Sequence, residues 1–388
     1  MTLKIRAAHP GDTAALTDIM HRAKASWGYD EAALDGFRSA FRITQGCLSS
    51  LDVLVAEKAG KPIGFAGGQP GSSASTAPYL IDYLFVAPEE ARNGIGRLLL
   101  ARATDHARSK GAQRLRLESD HFARSFYEAS GFEVVGTRPS HMAPDKCLPI
   151  MEKPVGSGIE RLNGLNVRLE TGKPWDFETA NKSAIDAYWA GLLKDNPHLW
   201  NGRTLKLTAH KFEDGRLTGT CRECSYAAFL SWRDWGAPDV SSFNLFGSAV
   251  IRSSDGAILY GVMAPHTATA GKIYPAGGNL DLGDVLPDGT VDVEGSIYRE
   301  LEEETGIRAA DVSDADLYAI FDGPRISIAR VVEVGVPADE LRRQIVDFSM
   351  ASEEQELCDI HVIRTPEDLT NRNIMPYARR FARHLLDL

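Results

Sequence analysis

Residues 79–100 read YLIDYLFVAPEEARNGIGRLLL, and this stretch decides the fold of the first part of the chain. An apolar run typical of a buried strand ends at Val86, and Gly94 and Gly96 then lead into a run with helical spacing. Glycine allows a close backbone approach, and the free N–H groups at a helix start bind phosphate oxygens. The stretch therefore predicts a strand, a turn and a helix that together hold a diphosphate group.

Strand and helix patterns alternate on both sides of this stretch. Together they predict an α/β fold in which helices flank a mixed sheet. The predicted strands are 3–7, 52–58, 61–67, 79–86 and 114–118, and the predicted helices are 12–25, 31–41, 96–110 and 123–130.

The chain has 388 residues, which is more than one hydrophobic core usually holds. The Gly- and Ser-bearing segment KPVGSGIE (153–160) follows a strand pattern, and a new alternating pattern, LNVRLE, begins at Leu165. In the second half, FGSAVIRSSDGAILYGVMA predicts a hairpin, which precedes an acidic helix. We predict two domains, an α/β domain at 1–155 and an α+β domain at 156–388, the latter divided into a subdomain at 156–242 and a core at 243–388.

The composition is that of a soluble globular protein, with 43% hydrophobic and 25% charged residues. Lys and Arg number 43 against 53 Asp and Glu, so the net charge of −10 gives no general field for nucleic acid. The N-terminal residues lack the pattern of a signal peptide, and no apolar run is long enough for a membrane span. We expect a cytoplasmic protein with no membrane or nucleic-acid partner. Cys221 and Cys224 form a lone CxxC, which favours packing over a zinc site.

Residues 299–307, RELEEETGI, carry the strongest chemical signal. On a helix, Glu300, Glu303 and Glu304 share one face, where they repel one another close to the helix C-terminus. Because both effects disfavour anions there, a cation is expected on that face. Oxygen ligands suit Mg²⁺ or Mn²⁺. The alternative is a solvated acidic surface.

This run resembles the signature of Nudix hydrolases, G-x5-E-x7-R-E-U-x-E-E-x-G-U, where U is a bulky aliphatic residue. The block from Arg299 to Ile307 matches at every specified position, and Gly278 and Asp284 supply the G-x5-acid spacing. There are two departures. Asp284 replaces the family's Glu, and 14 residues rather than 7 separate it from Arg299. We interpret LPDGTVDV, or part of it, as an insertion that lies before the helix. The alternative is that the insertion shapes the substrate pocket.

The resemblance implies an α/β/α sandwich that hydrolyses a nucleoside diphosphate linked to another moiety. Glu300, Glu303 and Glu304 would bind Mg²⁺ (or Mn²⁺), and Arg299 would pair with a helix carboxylate. A later loop offers Glu353, Glu354 and Glu356 as a further metal ligand, of which Glu356 is favoured because it precedes a strand. The segment NPHLWNG (196–202) resembles a segment of Nudix enzymes that act on UDP-sugars. The tryptophans that could stack a base, or simply pack in a core, are Trp200, Trp232 and Trp235.

The first half resembles the GNAT family of N-acetyltransferases over residues 3–153, in the order strand, RNGIGR, helix and then FARSFYEASGFEVVG. The resemblance implies acetyl-CoA as cosubstrate and an unknown amine as acceptor. Tyr127 would protonate the departing thiolate, and Asp120 stands where an Asn commonly contacts the cofactor. Ala91 departs from the family's Gln or Arg at that position. The implied contacts to acetyl-CoA come from Phe85, Val86, Arg92, Asn93, Gly94, Ile95, Gly96, Arg97 and Asp120.

The family does not fix the general base, and Asp82 and Glu118 are both candidates. An oxyanion-stabilising backbone N–H is expected near Phe85 or Val86. Together the two halves predict a bifunctional enzyme, a Nudix pyrophosphohydrolase fused to an acetyltransferase. The alternative is that one half is a non-catalytic module that senses acetyl-CoA or a nucleotide.

Overall fold

The structure, a computed structural model, describes residues 2–71, 78–140, 147–197, 199–239, 241–267, 269–352 and 355–387. It divides into two compact units. The first unit comprises Met1–Ser157 with 181–191 and 230–240, and the second comprises Gly158–Ala180, Leu192–Phe229 and Ser241–Leu388.

The described helices and strands follow one another along the chain with short connections. The strands are β1 (Leu3–Ala7), β2 (Asp52–Lys58), β3 (Lys61–Pro70), β4 (Tyr79–Val86), β5 (Arg114–Glu118), β6 (Glu133–Pro139), β7 (Cys147–Pro154), β8 (Ile159–Arg161), β9 (Gly164–Leu169), β10 (Arg203–Glu213), β11 (Arg216–Ser225), β12 (Asn244–Ser253), β13 (Ile258–Met263), β14 (Ile273–Tyr274), β15 (Ser313–Asp322), β16 (Arg325–Val334) and β17 (Leu357–Ile363). The helices are α1 (Thr13–Ala25), α2 (Glu31–Ala40), α3 (Gln45–Ser50), α4 (Ile95–Ser109), α5 (Arg124–Glu128), α6 (Asp176–Asp195), α7 (Tyr226–Asp234), α8 (Val293–Thr305), α9 (Ala338–Ala351) and α10 (Pro376–Leu385).

The first unit is built on a mixed sheet with the order β1-β2-β3-β4-β5-β7-β6, in which β4 and β5 are parallel. Successive residues of a strand point to opposite faces, and each face carries its own core. Val55 packs with the α1 residues Leu16 and Met20, whereas Ala56 packs with Leu99 of α4 on the other face. The predicted α/β layering, with helices flanking a mixed sheet, is confirmed in this unit.

The second unit contains a larger sheet, in the order β14-β13-β12-β16-β15-β8 with β17 also paired to β13, and a smaller sheet in the order β10-β11-β9. Helices cover both faces of the larger sheet. Ile297 of α8 packs with Ala249 of β12, whereas Phe381 of α10 packs with the neighbouring Val250. This layering places the acidic helix α8 directly against the central strand β12.

Most predicted elements are present, including the hairpin of β12 and β13 that turns at Ser254–Gly256. The short helix α3 was not predicted. The predicted division after residue 155 lies close to the end of the first continuous segment of unit 1. Segments 181–191 and 230–240, which the prediction assigned to the second domain, group with unit 1. One physical reason is that the Ile5 N–H donates a hydrogen bond to the Trp235 carbonyl at 2.8 Å.

The CxxC pair lies within strand β11, where Cys221 and Cys224 are both fully buried. Residues three apart on a strand point to opposite faces, so the two thiols cannot form one ligand set. Burial raises the pKa of both thiols to about 12, as expected for packed side chains. No helix in the described parts of the chain has the length and apolar character needed to cross a membrane.

Candidate functional site

A cleft opens in the first sheet where β4 and β5 separate. The two parallel strands are paired from Tyr79 with Leu115 to Ile81 with Leu117, and the pairing ends there. Opposite, β3 and β4 lose register between Gly67 and Gly68, so that Asp82 is an extra residue in β4. Such a bulge bends the strand locally. The second half of β4 therefore faces an open cleft on the side from which β5 has departed.

The backbone of β4 presents a hydrogen-bond donor to this cleft. The Ala87 N–H donates to the Ile63 carbonyl of the β3 side at 2.8 Å. Because N–H groups alternate in direction along an antiparallel strand, the Phe85 N–H also points to β3 and the Val86 N–H points away from it. Of the two residues predicted to supply an oxyanion-binding N–H, Val86 is the one oriented to do so.

The glycine turn connects this strand to α4. Arg92 and Gly94 adopt φ angles of 64° and 81°, in the left-handed region where glycine is favoured. Gly94 precedes the first helical residue and α4 has no side-chain cap, so the first N–H groups of the helix remain available to a ligand. Arg92, Asn93, Gly94 and Arg97 are exposed, and Gly96 is half-buried. The Ile95 side chain lies in the core, so that residue can offer only its backbone.

A cavity of about 210 Å³ lies at the cleft and brings together residues that are far apart in sequence. Its lining includes Phe85, Asp120 and Tyr127, which were predicted to form the acetyl-transfer site. Asp82 and Glu118, the two candidate bases, line the same cavity. Trp27, Tyr29, Phe37 and Phe41 supply an aromatic wall that was not predicted.

Tyr127 is buried at the base of this cavity, with its side chain between the rings of Phe126 and Phe132 at centroid distances of 5.1 and 5.6 Å. Among the described residues its hydroxyl has no hydrogen-bond partner. Burial raises the pKa of the phenol well above its usual value. Tyr127 therefore keeps its proton at neutral pH and can donate it.

Asp120 is held by two residues that were not predicted. Its carboxylate forms an ion pair with Lys24 and accepts a hydrogen bond from the Tyr29 hydroxyl at 2.7 Å. Although burial raises the pKa of Asp120, the hydrogen bonds from Lys24, the Phe122 N–H and Tyr29 lower it more. Asp120 is therefore an anion bound to Lys24. Lys24 could have been found from the sequence, because it lies four positions after Met20 and so places a charge on the apolar face of α1.

The two candidate bases differ in their partners. Asp82 accepts a hydrogen bond from the Gln69 amide at 2.9 Å, and partial desolvation raises the pKa of its carboxyl. Glu118 is 2.6 Å from the Arg138 guanidinium, so its carboxylate already has an ion-pair partner. Asp82 is thus the carboxylate better suited to accept a proton.

The second unit contains a separate acidic cavity of about 190 Å³. It is lined by Glu300, Glu303 and Glu304 of α8, by Glu356 just before β17, and by two serines at the end of α9. The structure thus brings the four predicted glutamates together. The other two candidates, Glu353 and Glu354, lie outside the described residues.

Two glycines fix the helix against the preceding loop. The Gly277 N–H donates to Glu304 Oε1 at 2.9 Å, whereas Glu304 Oε2 is buried with no hydrogen-bond partner in the described structure. A Cβ atom on Gly278 would lie only 2.5 Å from the carboxylate of Glu300. Burial raises the pKa of Glu304 well above its usual value and that of Glu300 to about 7, with the neighbouring glutamates adding to both shifts.

Arg299 connects this helix to Asp284. Its guanidinium is 2.8 Å from Asp284 and 3.5 Å from Glu300. The predicted pairing of Arg299 with a helix carboxylate is therefore present in its contact with Glu300, but it is the longer of the two contacts. The shorter carboxyl of Asp284 still reaches Arg299, and Asp284 also accepts a hydrogen bond from the Asp281 N–H at 2.9 Å.

The extra residues before the helix form a hairpin. Val285 pairs with Val291, and the Asp292 N–H donates to the Asp284 carbonyl at 2.7 Å. On its outer edge the Val291 N–H donates to the Val167 carbonyl of β9 at 2.8 Å. The hairpin closes on itself, so Asp284 reaches the helix although the chain between them is long.

The acidic cavity offers oxygen ligands of the kind that the predicted metal ion requires. Within the described ranges, no three His, Cys, Asp or Glu side chains are arranged as a ready-made ligand group. The donor chemistry nevertheless fits a hard cation, because four carboxylates face one cavity and a buried oxygen of Glu304 has no partner there. A cation would offset the repulsion between the carboxylates and would give the buried oxygen of Glu304 a partner.

Comparison with known proteins identifies a family for the first part of the chain. The model described as Acetyltransferase (GNAT) family matches residues 16–132. The chain is 32% identical over 137 residues to the uncharacterized N-acetyltransferase YhfO of Bacillus subtilis (strain 168), and this covers 34% of the chain and 90% of the relative.

Solved structures with low identity are also similar. An acetyltransferase of the GNAT family from Streptococcus pneumoniae is 24% identical, covers 40% of this chain and 100% of its own, and has a TM-score of 0.32. The PaiA N-acetyltransferase of Thermoplasma acidophilum, solved with coenzyme A, is 22% identical, with 40% and 99% covered and a TM-score of 0.33. By its match to the family model and to the Bacillus subtilis relative, the chain belongs, through its N-terminal unit, to the GNAT family of acetyltransferases.

Proposed function

We propose that the N-terminal unit transfers the acetyl group of acetyl-CoA to a primary amine at the cleft between β4 and β5. The observation that carries this proposal is the convergence of Tyr127, Asp82 and Phe85 on one cavity, with the glycine turn following the same strand. Family membership gives the reaction class.

We assign one group to each step of the transfer. The N–H groups at the start of α4, with Arg92 and Arg97 nearby, bind the diphosphate of the cosubstrate. The Val86 N–H stabilises the negative charge that develops on the thioester oxygen. Asp82 accepts the proton of the attacking amine as the C–N bond forms, and Tyr127 donates its proton to the departing thiolate as the C–S bond breaks.

A Tyr127→Phe variant tests this assignment. Loss of the proton donor should lower kcat by about 10²-fold or more and leave the KM for acetyl-CoA nearly unchanged. Tyr188→Phe, which alters a half-buried tyrosine bonded to Asp234 and absent from the cavity lining, is the matched control and should retain activity. Free thiol released from acetyl-CoA across a panel of amines is the measurement. Binding of acetyl-CoA without turnover of any amine would instead indicate the sensing module.

We further propose that the second unit is a Nudix-type hydrolase that cleaves a nucleoside diphosphate linked to another moiety, such as a UDP-sugar. The observation that favours it is the acidic cavity, where four glutamates meet beside a buried carboxylate oxygen that has no partner among the described residues. Glu300, Glu303, Glu304 and Glu356 would hold Mg²⁺ or Mn²⁺. When bound, the metal supplies charge neutralisation of the diphosphate and activation of a water molecule.

The chain's own groups prepare this site. The Gly277 N–H fixes the rotamer of Glu304, and Arg299 joins α8 to the loop through Asp284. Gly278 leaves space for the carboxylate of Glu300. Such supporting contacts orient ligands and typically contribute about 10- to 100-fold in metal affinity or activity.

Glu303→Gln beside Glu302→Gln tests the hydrolase. Both residues lie on α8, but Glu302 is exposed and does not line the cavity. Mg²⁺-dependent hydrolysis should be measured on UDP-sugars, ADP-ribose, NADH, dinucleoside polyphosphates, dNTPs and CoA. We expect one class to be cleaved, with activity lost in Glu303→Gln and kept in Glu302→Gln. Nucleotide binding by folded wild type with no cleavage of any class would overturn catalysis in favour of a regulatory domain.

A further inference from the structure

One tryptophan stands apart from the rest of the aromatic residues in the second half of the chain. Trp232 and Trp235 are 1% and 4% exposed and belong to the core, so packing explains them. The Trp200 side chain is 80% exposed. Among the large hydrophobic side chains that the structure describes, it is the most exposed. A single exposed ring is common in folded proteins, so the groove beside it must supply the evidence for a site.

Trp200 lines a groove of about 210 Å³, which also includes Tyr226, Arg203, Asn279 and Asp281. Two aromatic rings and several polar side chains thus border one space. The indole ring lies over Gly202, where a Cβ atom would be only 2.0 Å from the nearest ring carbon. The absence of a side chain at Gly202 therefore allows the ring to occupy this position at the groove.

The polar border of the groove has hydrogen-bonding capacity to spare. The Asn279 amide oxygen accepts a hydrogen bond from Asn244 at 2.9 Å, and its amide N–H₂ has no partner in the described part of the chain. The carboxylate of Asp281 accepts hydrogen bonds from the N–H groups of Gly283, at 2.6 Å, and of Asp284. Asn279 can therefore donate, and the carboxylate of Asp281, which has about four lone-pair sites, can accept a further hydrogen bond. A ligand with a planar apolar face and a polar edge would match the groove.

The groove and the acidic cavity are joined by a single loop. Gly277 donates to Glu304, Gly278 lies against Glu300, and Asn279 is the next residue along the chain. Adjacent Cα atoms are about 3.8 Å apart. A molecule with its diphosphate at the glutamates could therefore extend along this loop and bring its far end to the groove.

We propose that this groove binds the nucleobase of a nucleoside diphosphate substrate, with the base stacked on the Trp200 indole. The inference rests on the proposed hydrolase function of the acidic cavity, for which it assigns the position of the base. A base has a π face for the indole and a polar edge for Asn279 and Asp281. Stacking of a base on an aromatic side chain is worth about 5- to 150-fold in affinity.

Nucleotide titrations of the full-length protein test the groove without requiring catalysis. UDP and ADP should quench tryptophan fluorescence, whereas ribose 5-phosphate and pyrophosphate, which lack a base, should not. Trp200→Ala should remove this quenching and weaken the Kd of the nucleotide by at least about 5-fold. Trp200→Phe, which keeps a ring, should restore most of the affinity. Phe122→Ala, which removes an exposed ring from the other unit, should leave the Kd unchanged.

The outcomes separate this inference from the proposed function. If Mg²⁺-dependent hydrolysis is present and Trp200→Ala alters neither Kd nor KM, the groove is not the base site and the hydrolase stands. If no substrate is cleaved but base-dependent quenching still requires Trp200, the groove assignment stands and the hydrolase is overturned. Equal affinity for ribose 5-phosphate and for UDP would also refute the groove.

Discussion

The ion pair between Lys24 and Asp120 allows a sharp test of how the acetyltransferase cleft is held together. Both side chains are 9% exposed, and the Lys24 ammonium lies 4.6–5.2 Å from the ring centroids of Trp27, Tyr29 and Phe37. The perturbation is a double-mutant cycle of Lys24→Met, Asp120→Asn and the double variant. Each single variant leaves one buried partner without its counter-charge, whereas the double variant leaves neither charge.

The expected magnitudes follow from the contacts that remain. Lys24→Met should lower the free energy of unfolding of the first unit by about 3 kcal/mol, because an uncompensated carboxylate remains buried. Asp120→Asn should cost about 2 kcal/mol, since three aromatic rings still face the ammonium. The double variant leaves no unpaired buried charge, but it weakens the charge-assisted hydrogen bonds that Asp120 accepts from Tyr29 and the Phe122 N–H, so it should cost about 2 kcal/mol. The coupling free energy is then about 3 kcal/mol.

Urea titrations of the four proteins measure this cycle. Hydrogen exchange of peptides from β3 and β4 assigns the transition to the first unit. In thermal unfolding, Lys24→Met should lower the Tm by about 6–12 °C. If the two single costs add to within about 0.5 kcal/mol in the double variant, the two groups are independent and the reasoning is refuted.

Three further changes give checkable results. Without divalent metal, Glu300→Gln should stabilise the second unit by about 2–3 kcal/mol at pH 8 and little at pH 5. Burial raises the pKa of Glu300 from 4.5 to about 7, so the folded state loses stability as the pH rises between these values. Urea titrations in EDTA measure the free energy of unfolding at each pH. Gly278→Ala should displace the movable carboxylate of Glu300 and lower the rate of hydrolysis at least about 10-fold, while the Tm changes by no more than about 2 °C. Gly335→Ala, which has open space around it, should change neither the rate nor the Tm. Gly68→Ala should cost about 2–3 kcal/mol in denaturant titrations, since its Cβ would lie 2.4 Å from the Leu80 carbonyl, whereas Gly36→Ala on α2 should stabilise by about 0.5–1 kcal/mol.

Local sequence patterns predict much of the fold. The turn at Ser254–Gly256 predicts the hairpin of β12 and β13, and the glycines after Val86 predict where α4 begins. The three glutamates of α8 are related by helical spacing, so their common face is also a local property. These features could be read because the residues that create them are close in sequence.

The features that were missed depend on residues distant in sequence. Lys24 and Asp120 are 96 residues apart, and neither position alone indicates the other. The bulge at Asp82 arises from the pairing of β4 with Gly67 and Gly68, which no single strand pattern reveals. Segment 230–240 joins the first unit through contacts such as that from Ile5, and a boundary drawn from composition could not anticipate them.

The hairpin between Asp284 and Asp292 has a consequence for how such sites are recognised and engineered. The bond from the Asp292 N–H to the Asp284 carbonyl and the pairing of Val285 with Val291 bring its two ends together, so the number of residues beyond them has little effect on the position of Asp284. The entropy of closing a loop grows only slowly with its length, by about 0.6 kcal/mol per doubling. A search that demands a fixed count of residues here tests chain length, which the site does not require. The tip of this hairpin is accordingly where a foreign peptide could be spliced in while the carboxylates keep their arrangement.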